Sequence, residues 1–358
     1  MIVAKRVVRA RALFTGLLGS ALLLAAALVG SCAPPNGDSG AREVVVYCSA
    51  DDYIAKPIFD TFTRETGITV LFQGDTEATK TVGLIEKLRA EKARPRADVF
   101  WSSDAYQLAA MAGEGHFGAV DAALLEAWPE HAQDPDGRYV MFAERARVLV
   151  RNTTRVDDAN APTNIWDLTD PFWNNRVVMA RPQFGTTRAH VAAMVALWGE
   201  EAAREWLTQM KANGLRLVDG NSVVVREVGA GTADIGLTDT DDAWSGRRNG
   251  WPIDLVYIDH QRRVQGFTAG EGGAMVIANA AAPIAGGPNP DEAQAFIRFL
   301  VSEQAERLLA ESDSRNIPVG PGLAEEFPEL NIENPLRIPI VDITSAIPVA
   351  MRLCEEIL

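Results

Sequence analysis

The sequence predicts an α/β protein built on parallel sheets and divided into two lobes. Three observations predict it. Glu43–Ser49, Ile68–Phe72 and Asp98–Trp101 are short strand-like runs separated by helix-patterned stretches over Ile54–Thr66 and Thr79–Lys92. Such β-α-β winding implies parallel strands joined by right-handed crossovers. The first run, EVVVYCS, is β-branched and apolar rather than alternating, which marks a strand covered on both faces. After a loose region containing Pro129 and Asp134-Pro135-Asp136-Gly137, the β-rich segment Arg145–Arg151 opens a second series of elements.

Each element has its own signal. Ile58, Phe59 and Phe62 share one helix face and Gly67 stops that helix, while Val82, Ile85 and Leu88 mark the next, which Pro95 breaks. In the second series, Arg176–Ala180 reads as a strand and Thr187–Trp198 as a helix with Val191, Met194, Val195 and Trp198 on one face. Glu200–Asn213 is a helix ended by Gly214; Leu215–Val218 and Ile235–Leu237 are strands around a short helix from about Val223 to Gly229. Asp254–Ile258 and Ala274–Ala278 read as strands returning towards the first lobe. Asp291–Leu300 and Ser302–Glu311 follow as a helix pair with Ala295, Phe296, Phe299 and Leu300 as its apolar stripe, and a helix from about Ser345 to Ile357 closes the chain. There is no internal repeat, long low-complexity stretch or coiled coil.

The first residues bound the compartment. Lys5, Arg6, Arg9 and Arg11 precede an apolar run from Leu13 to Val29 and then Gly30-Ser31-Cys32. A basic start, a short apolar core and small residues at the cleavage point make residues 1–31 an export signal and not a membrane span, which needs about 20 residues. The cysteine after Val29-Gly30-Ser31 resembles a bacterial lipobox, so lipidation is expected at Cys32, with plain secretion as the alternative. Residues 32–42, rich in Pro, Gly, Ser and Asn, form a flexible tether. Removing the four positive charges of the signal from a formal charge of −14 leaves −18 on the exported chain. Phosphate backbones need a basic surface, so nucleic acid is excluded as a partner. Cys48 and Cys354 remain after Cys32; in an exported protein they can form a bridge, or Cys48 can simply pack beside the first strand.

Two stretches carry the chemistry. In Ala233–Trp244, ADIGLTDTDDAW, a short apolar strand runs into Asp239, Thr240, Asp241 and Asp242. Open α/β sheets bind ligands beyond the carboxyl ends of their strands, which makes this loop a candidate ligand wall. Asp239 or Thr240 equally suits the cap of the helix that carries Trp244. The first strand ends in Tyr47, Ser49, Asp51, Asp52 and Tyr53, and the third in Ser102, Ser103 and Asp104. Carboxylates and hydroxyls together suit a hard cation such as ferric iron, calcium, magnesium or manganese. In Pro182–His190, PQFGTTRAH, Gly185, Thr186 and Thr187 stand at a helix start, where free N–H groups and the positive dipole end favour an anion. His116, His131, His190 and His260 lie far apart without metal-ligand spacing and are expected to be structural. No nucleophile elbow, HExxH or Walker sequence supports an enzyme.

Six blocks carry a family resemblance: VVVYCSADDYIAKPIFDTFTRETGITV, ADVFWSSDAYQLAAMAGEGHF, RARVLVRNT, ANGLRLVDGNSVVVREVGAGTADIGL, NPDEAQAFIRFLVSEQAERLL and RNIPVGPG. In this order, behind an export signal, they resemble the ferric-ion-type (family 1) periplasmic substrate-binding proteins of ABC importers. The resemblance implies a type II periplasmic-binding-protein fold, its two lobes joined by two hinge crossover strands and closing on a small solute. It divides the chain into 43–143 (first lobe), 144–264 (second lobe), 265–312 (return to the first) and 313–358 (C-terminal part of the second). A membrane permease is the implied partner and a monomer the implied state. Ferric members hold iron with two adjacent tyrosines, whose places fall here on Thr240 and Asp241, so the cation donors expected are Asp239, Asp241, Asp242, Asp104, Asp52 and Tyr53. A carbonate- or phosphate-like anion is implied at Gly185, Thr186 and Thr187, with Arg145 matching the family's arginine and Arg188 as a second contributor. Arg147 is expected to pair with a structural carboxylate. Without a metal, the same site would take a phosphonate, a sugar phosphate or another small anionic solute.

Overall fold

In a computed structural model, residues 42–75, 81–183, 185–261 and 273–358 are described. The elements in chain order are β1 (Glu43–Cys48), α1 (Asp52–Thr66), β2 (Thr69–Gly74), α2 (Val82–Glu91), β3 (Val99–Ser102), α3 (Ala105–Gly113), α4 (Ala122–Ala127), β4 (Val140–Asn152), β5 (Val177–Ala180), α5 (Gly185–Trp198), α6 (Glu200–Ala212), β6 (Arg216–Val218), α7 (Asn221–Gly229), β7 (Ile235–Asp239), α8 (Thr240–Arg248), β8 (Ile253–Val256), β9 (Val276–Pro283), α9 (Pro290–Leu300), α10 (Glu303–Glu311) and α11 (Ile340–Ile357).

The strands run in the order β2-β1-β3-β9-β4-β7-β5-β6, with β8 also on β4. At one end β2, β1 and β3 are parallel, and at the other β7, β5 and β6 are parallel. Antiparallel β9 and β4 join the two sets. Each parallel set is covered on both faces, as its apolar strands require. On β1, Val44, Val46 and Cys48 enter one core with Phe59, Phe62 and Phe296, while Tyr47 enters another with Leu84, Leu88 and Phe100. On β5, Val177 and Met179 face a core with Trp206 and Leu353, and Val178 and Ala180 face Val224 and Val228. This is the two-lobe α/β architecture expected. Among the described residues no helix is long and apolar enough to cross a membrane.

β4 pairs with β9 along Val140–Ala146 and with β7 along Arg147–Arg151, so this one strand passes between the two sets. Its register shifts between Phe142 and Glu144, where Ala143 takes a positive φ of 48°. Ala143 is held at both ends: its N–H donates to Glu306 Oε1 at 3.2 Å, and its carbonyl accepts from Asn279 Nδ2 at 2.7 Å.

Several boundaries differ from expectation for identifiable reasons. β4 has 13 residues instead of the seven of Arg145–Arg151, because it spans both sets. α3 has no sequence expectation; it starts where Asp104 accepts hydrogen bonds from the N–H groups of Tyr106 and Gln107. α11 begins at Ile340, directly after Pro339, and continues through Pro348. Cys48 and Cys354 are buried in separate cores, and the bridge between them does not form. The export signal, Cys32 and most of the tether lie outside the described residues.

Candidate functional site

Residues just beyond the carboxyl ends of β1, β3, β5, β6 and β7 converge on a cavity of about 80 Å³, together with Arg145 from β4 and Asn279 from β9. Helices α5, α7 and α8 each point an N-terminus at it. The N-caps of α7 and α8, Gly220 and Asp239, make no side-chain cap bond, so first-turn N–H groups and positive dipole ends face the site. Gly185 opens α5 at φ +57°, a conformation that glycine adopts without the strain a Cβ would bring.

Asp239 is the buried anchor of this region. Arg147 Nη1 donates to its Oδ1 at 2.7 Å; Thr186 Oγ1 and Asn221 Nδ2 donate to its Oδ2 at 2.6 and 3.0 Å. Arg145 Nε lies 3.5 Å from the same oxygen and 3.7 Å from Asp241 Oδ2. Burial alone would push the Asp239 carboxyl up, but Arg147 and Arg145, with the Thr186 bond, outweigh it and hold the carboxyl below its ordinary value. Burial likewise opposes the charge on Arg145, and the facing Asp241, Asp239 and Asp104 more than compensate. The expected pairing of Arg147 with a carboxylate is therefore present.

One carboxylate oxygen from each of Asp239, Asp241 and Asp242 lies within 4.8 Å of the others. The Asp239 oxygens accept three short bonds, and all three aspartates line the cavity, Asp239 buried and Asp241 and Asp242 partly buried. Ser103, Gly185, Thr186, Thr187 and Arg145 line it as well. Ser49 stands behind Ser103, its hydroxyl accepting from the Ser103 N–H at 2.9 Å.

The remaining sequence candidates are placed elsewhere. Tyr47 is buried beside α2, with its hydroxyl donating to Glu91 at 2.8 Å. Ser102 and Asp104 are spent on the turn into α3, where burial raises the Asp104 carboxyl above its ordinary value despite Arg145 and two N–H donors. Thr240 Oγ1 accepts from the Ala146 N–H at 3.1 Å, tying α8 to β4, and Arg188 does not line the cavity. Asp52, paired with Lys56 at 2.6 Å, and half-exposed Tyr53 line an outer groove of about 430 Å³ that shares Asp51, Ser222 and Asp242 with the cavity. Sequence reasoning missed Asn221, Asn279 and Asn316 on the cavity wall. Applying the strand-end rule to β6, as to β7, would have found Asn221.

Residues 94–345 match the family described as bacterial extracellular solute-binding protein. The chain belongs to that family. It is 30% identical over 312 residues to the Fe(3+)-binding periplasmic protein of Serratia marcescens, covering 85% of each. It is 28% identical over 310 residues to the major ferric iron-binding protein of Neisseria meningitidis, covering 85% of this chain and 87% of the other. The crystal structure of iron-bound HitA from Pseudomonas aeruginosa superposes with a TM-score of 0.77 at 25% identity, over 88% of this chain and 99% of that one. The cavity of this solute-binding protein lies where the strand-end rule puts a ligand.

Proposed function

We propose that this protein is the extracytoplasmic receptor of an ABC importer, capturing ferric iron, or a similar hard oxygen-liganded ion, together with a small anion. The observation that carries the reading is one cavity with Asp241 and Asp242 on the first turn of α8 and the first turn of α5 with Arg145 facing the same space. The carboxylates supply hard oxygen donors for the cation. The α5 N–H groups and Arg145 supply the positive field for the anion, carbonate- or phosphate-like, while Asp239 holds the arginines in place. The named activities of the Serratia and Neisseria relatives support iron as the cargo. Thr240 and Asp241 stand where the family resemblance leads one to expect tyrosines, so a carboxylate site binds ferric iron without the colour that phenolate ligands give it.

In this reading the cargo closes the two lobes by contacting both, with β4 and β9 as the hinge strands, and the closed form is presented to a permease. The protein acts as a monomer, held to the membrane through Cys32. Labelling with a radioactive fatty acid, lost in Cys32→Ala, tests the anchor. For the cargo, ferric citrate titrated in the presence of bicarbonate or phosphate, read by native mass spectrometry, is expected to give one bound ion per chain and no phenolate-type visible band. A thermal-shift screen of phosphorylated compounds runs beside it, since a ligand at 100 times its Kd stabilises by about 2.7 kcal/mol. Stabilisation by a phosphorylated compound, with no metal bound under any condition, overturns the reading.

A further inference from the structure

Behind the cavity lies a buried polar chain that the cargo reading does not use. Arg145 and Arg147 are two apart on β4 and so share a face, and both reach Asp239. Arg147 Nε donates to His190 Nδ1 at 3.2 Å, and His190 Nε2 lies 2.9 Å from His260 Nε2. His260 Nδ1 in turn lies 3.2 Å from the Gly273 carbonyl. All three side chains are essentially without solvent exposure.

The arginine fixes every proton in this chain. A guanidinium Nε always donates, so His190 Nδ1 accepts and the His190 proton sits on Nε2. That proton is donated to His260 Nε2, which leaves the His260 proton on Nδ1, facing the Gly273 carbonyl. The Met275 N–H, 3.3 Å from the same Nδ1, loses an acceptor in this arrangement. The reverse arrangement would set a charged donor against an imidazole N–H, and charge-assisted bonds are the stronger ones to lose. Burial, then Arg147, pushes His190 well below its ordinary value, and burial holds His260 down to about 4, so both rings stay neutral and can accept.

His190 lies four residues after Thr186, on the same face of α5. Thr186 and Arg147 both bind Asp239, so the ring and the first turn of α5 address one carboxylate from two directions. We propose that His190 and His260 are positioning residues for the anion side of the cleft: as a hydrogen-bonded pair they hold Arg147 against Asp239, and through Asp239 they fix Thr186 and the first turn of α5. Both arginines meet Asp239 beneath that turn. Losing the imidazole acceptor frees the guanidinium to turn away and releases Thr186 with it. The anion part of this inference rests on the cargo reading above; the positioning part does not.

Three measurements test it. In the unmodified protein, imidazole 15N NMR is expected to show His190 Nδ1 and His260 Nε2 unprotonated at neutral pH; a proton on His190 Nδ1 overturns the proposal. In His190→Phe and His260→Phe, amide hydrogen exchange over residues 186–189 of the ligand-free protein is expected to accelerate, and inorganic phosphate to bind about tenfold more weakly by calorimetry, the scale of one lost bond to a charged group. His190→Gln, whose amide oxygen can accept from Arg147, restores both to within about threefold. A lower melting temperature with unchanged exchange in the Phe variants means packing alone and sinks the proposal. If the unmodified protein binds no phosphate, the anion reading fails, and the exchange and NMR results still decide the positioning role.

Discussion

Arg147→Met isolates the interaction on which the site's internal order depends. The side chain is fully buried, its Nη1 donates to Asp239 at 2.7 Å and its Nε to His190 at 3.2 Å. Removing one partner of a buried ion pair costs about 3–5 kcal/mol, because the surviving charge is left without compensation. Arg145 remains 3.5 Å from Asp239, so the lower end, about 3 kcal/mol, is expected against a total stability of roughly 5–15 kcal/mol. The pH dependence gives the mechanism a sign. In the unmodified protein the Asp239 carboxyl lies below its ordinary value, so its stabilisation is present above the unfolded value of about 3.9 and fades only as pH falls through the lower folded value. In the variant, burial dominates and lifts the carboxyl above that value; the penalty is full at neutral pH and vanishes as pH falls through the raised one. The stability gap between the two proteins therefore shrinks on acidification. Urea unfolding of the ligand-free proteins near pH 7 and near pH 4 reads both effects. Arg147→Met with Asp239→Asn is expected to recover at least half of the loss, since the stranded charge is gone. A loss below about 1 kcal/mol, or one equal at both pH values, refutes the assignment of Asp239 as a charge held by Arg147.

Three further outcomes follow from the geometry. Asp241→Asn combined with Thr186→Val removes one contact from each side of the cavity, so the contraction that ferric citrate with phosphate induces in small-angle scattering is expected to disappear while circular dichroism stays unchanged; persistent contraction counts against the site. Ala143→Gly places glycine at φ 48° on β4 and is expected to stabilise by about 0.5–1 kcal/mol, a rise of about 1–3 °C in Tm. A fall in Tm would show that the bulge carries no strain. Because Cys48 and Cys354 are separate buried thiols, a reducing agent is expected to leave Tm within about 1 °C, and a drop of several degrees would reveal a bridge.

How much was legible follows from how local each signal is. The strand-end motifs Thr238–Asp242 and Gly185–Thr187 announced themselves because polar residues follow an apolar run at fixed positions, and both reach the cavity. The individual donors were less legible, since a carboxylate after a strand can face ligand or cap a helix. Asp104 went to the cap of α3 and Asp239 to the arginines, a choice made by tertiary partners at positions 145 and 147. The His190–His260 pair was invisible because its members stand 70 residues apart, and only the docking of α5 against the segment after β8 brings them together. Asn279, on the second joining strand, acts through the same kind of long-range placement, reaching both the cavity and the Ala143 carbonyl.

The charges around the cavity constrain what it can hold. Arg145 lines the cavity with Asp51, Asp239, Asp241 and Asp242, Arg147 stands behind it on Asp239, and Asp219 at the rim is paired with Arg181 at 3.2 Å. Groups of both signs therefore face one space, and a charge brought into it is stabilised by those of opposite sign. A cation and an anion held together would each stand against groups of opposite sign. Asp239, bound by Arg147 at 2.7 Å and 3.5 Å from Arg145, ties the arginines to the loop that carries Asp241 and Asp242, so its position, and not just its charge, decides whether both can bind at once.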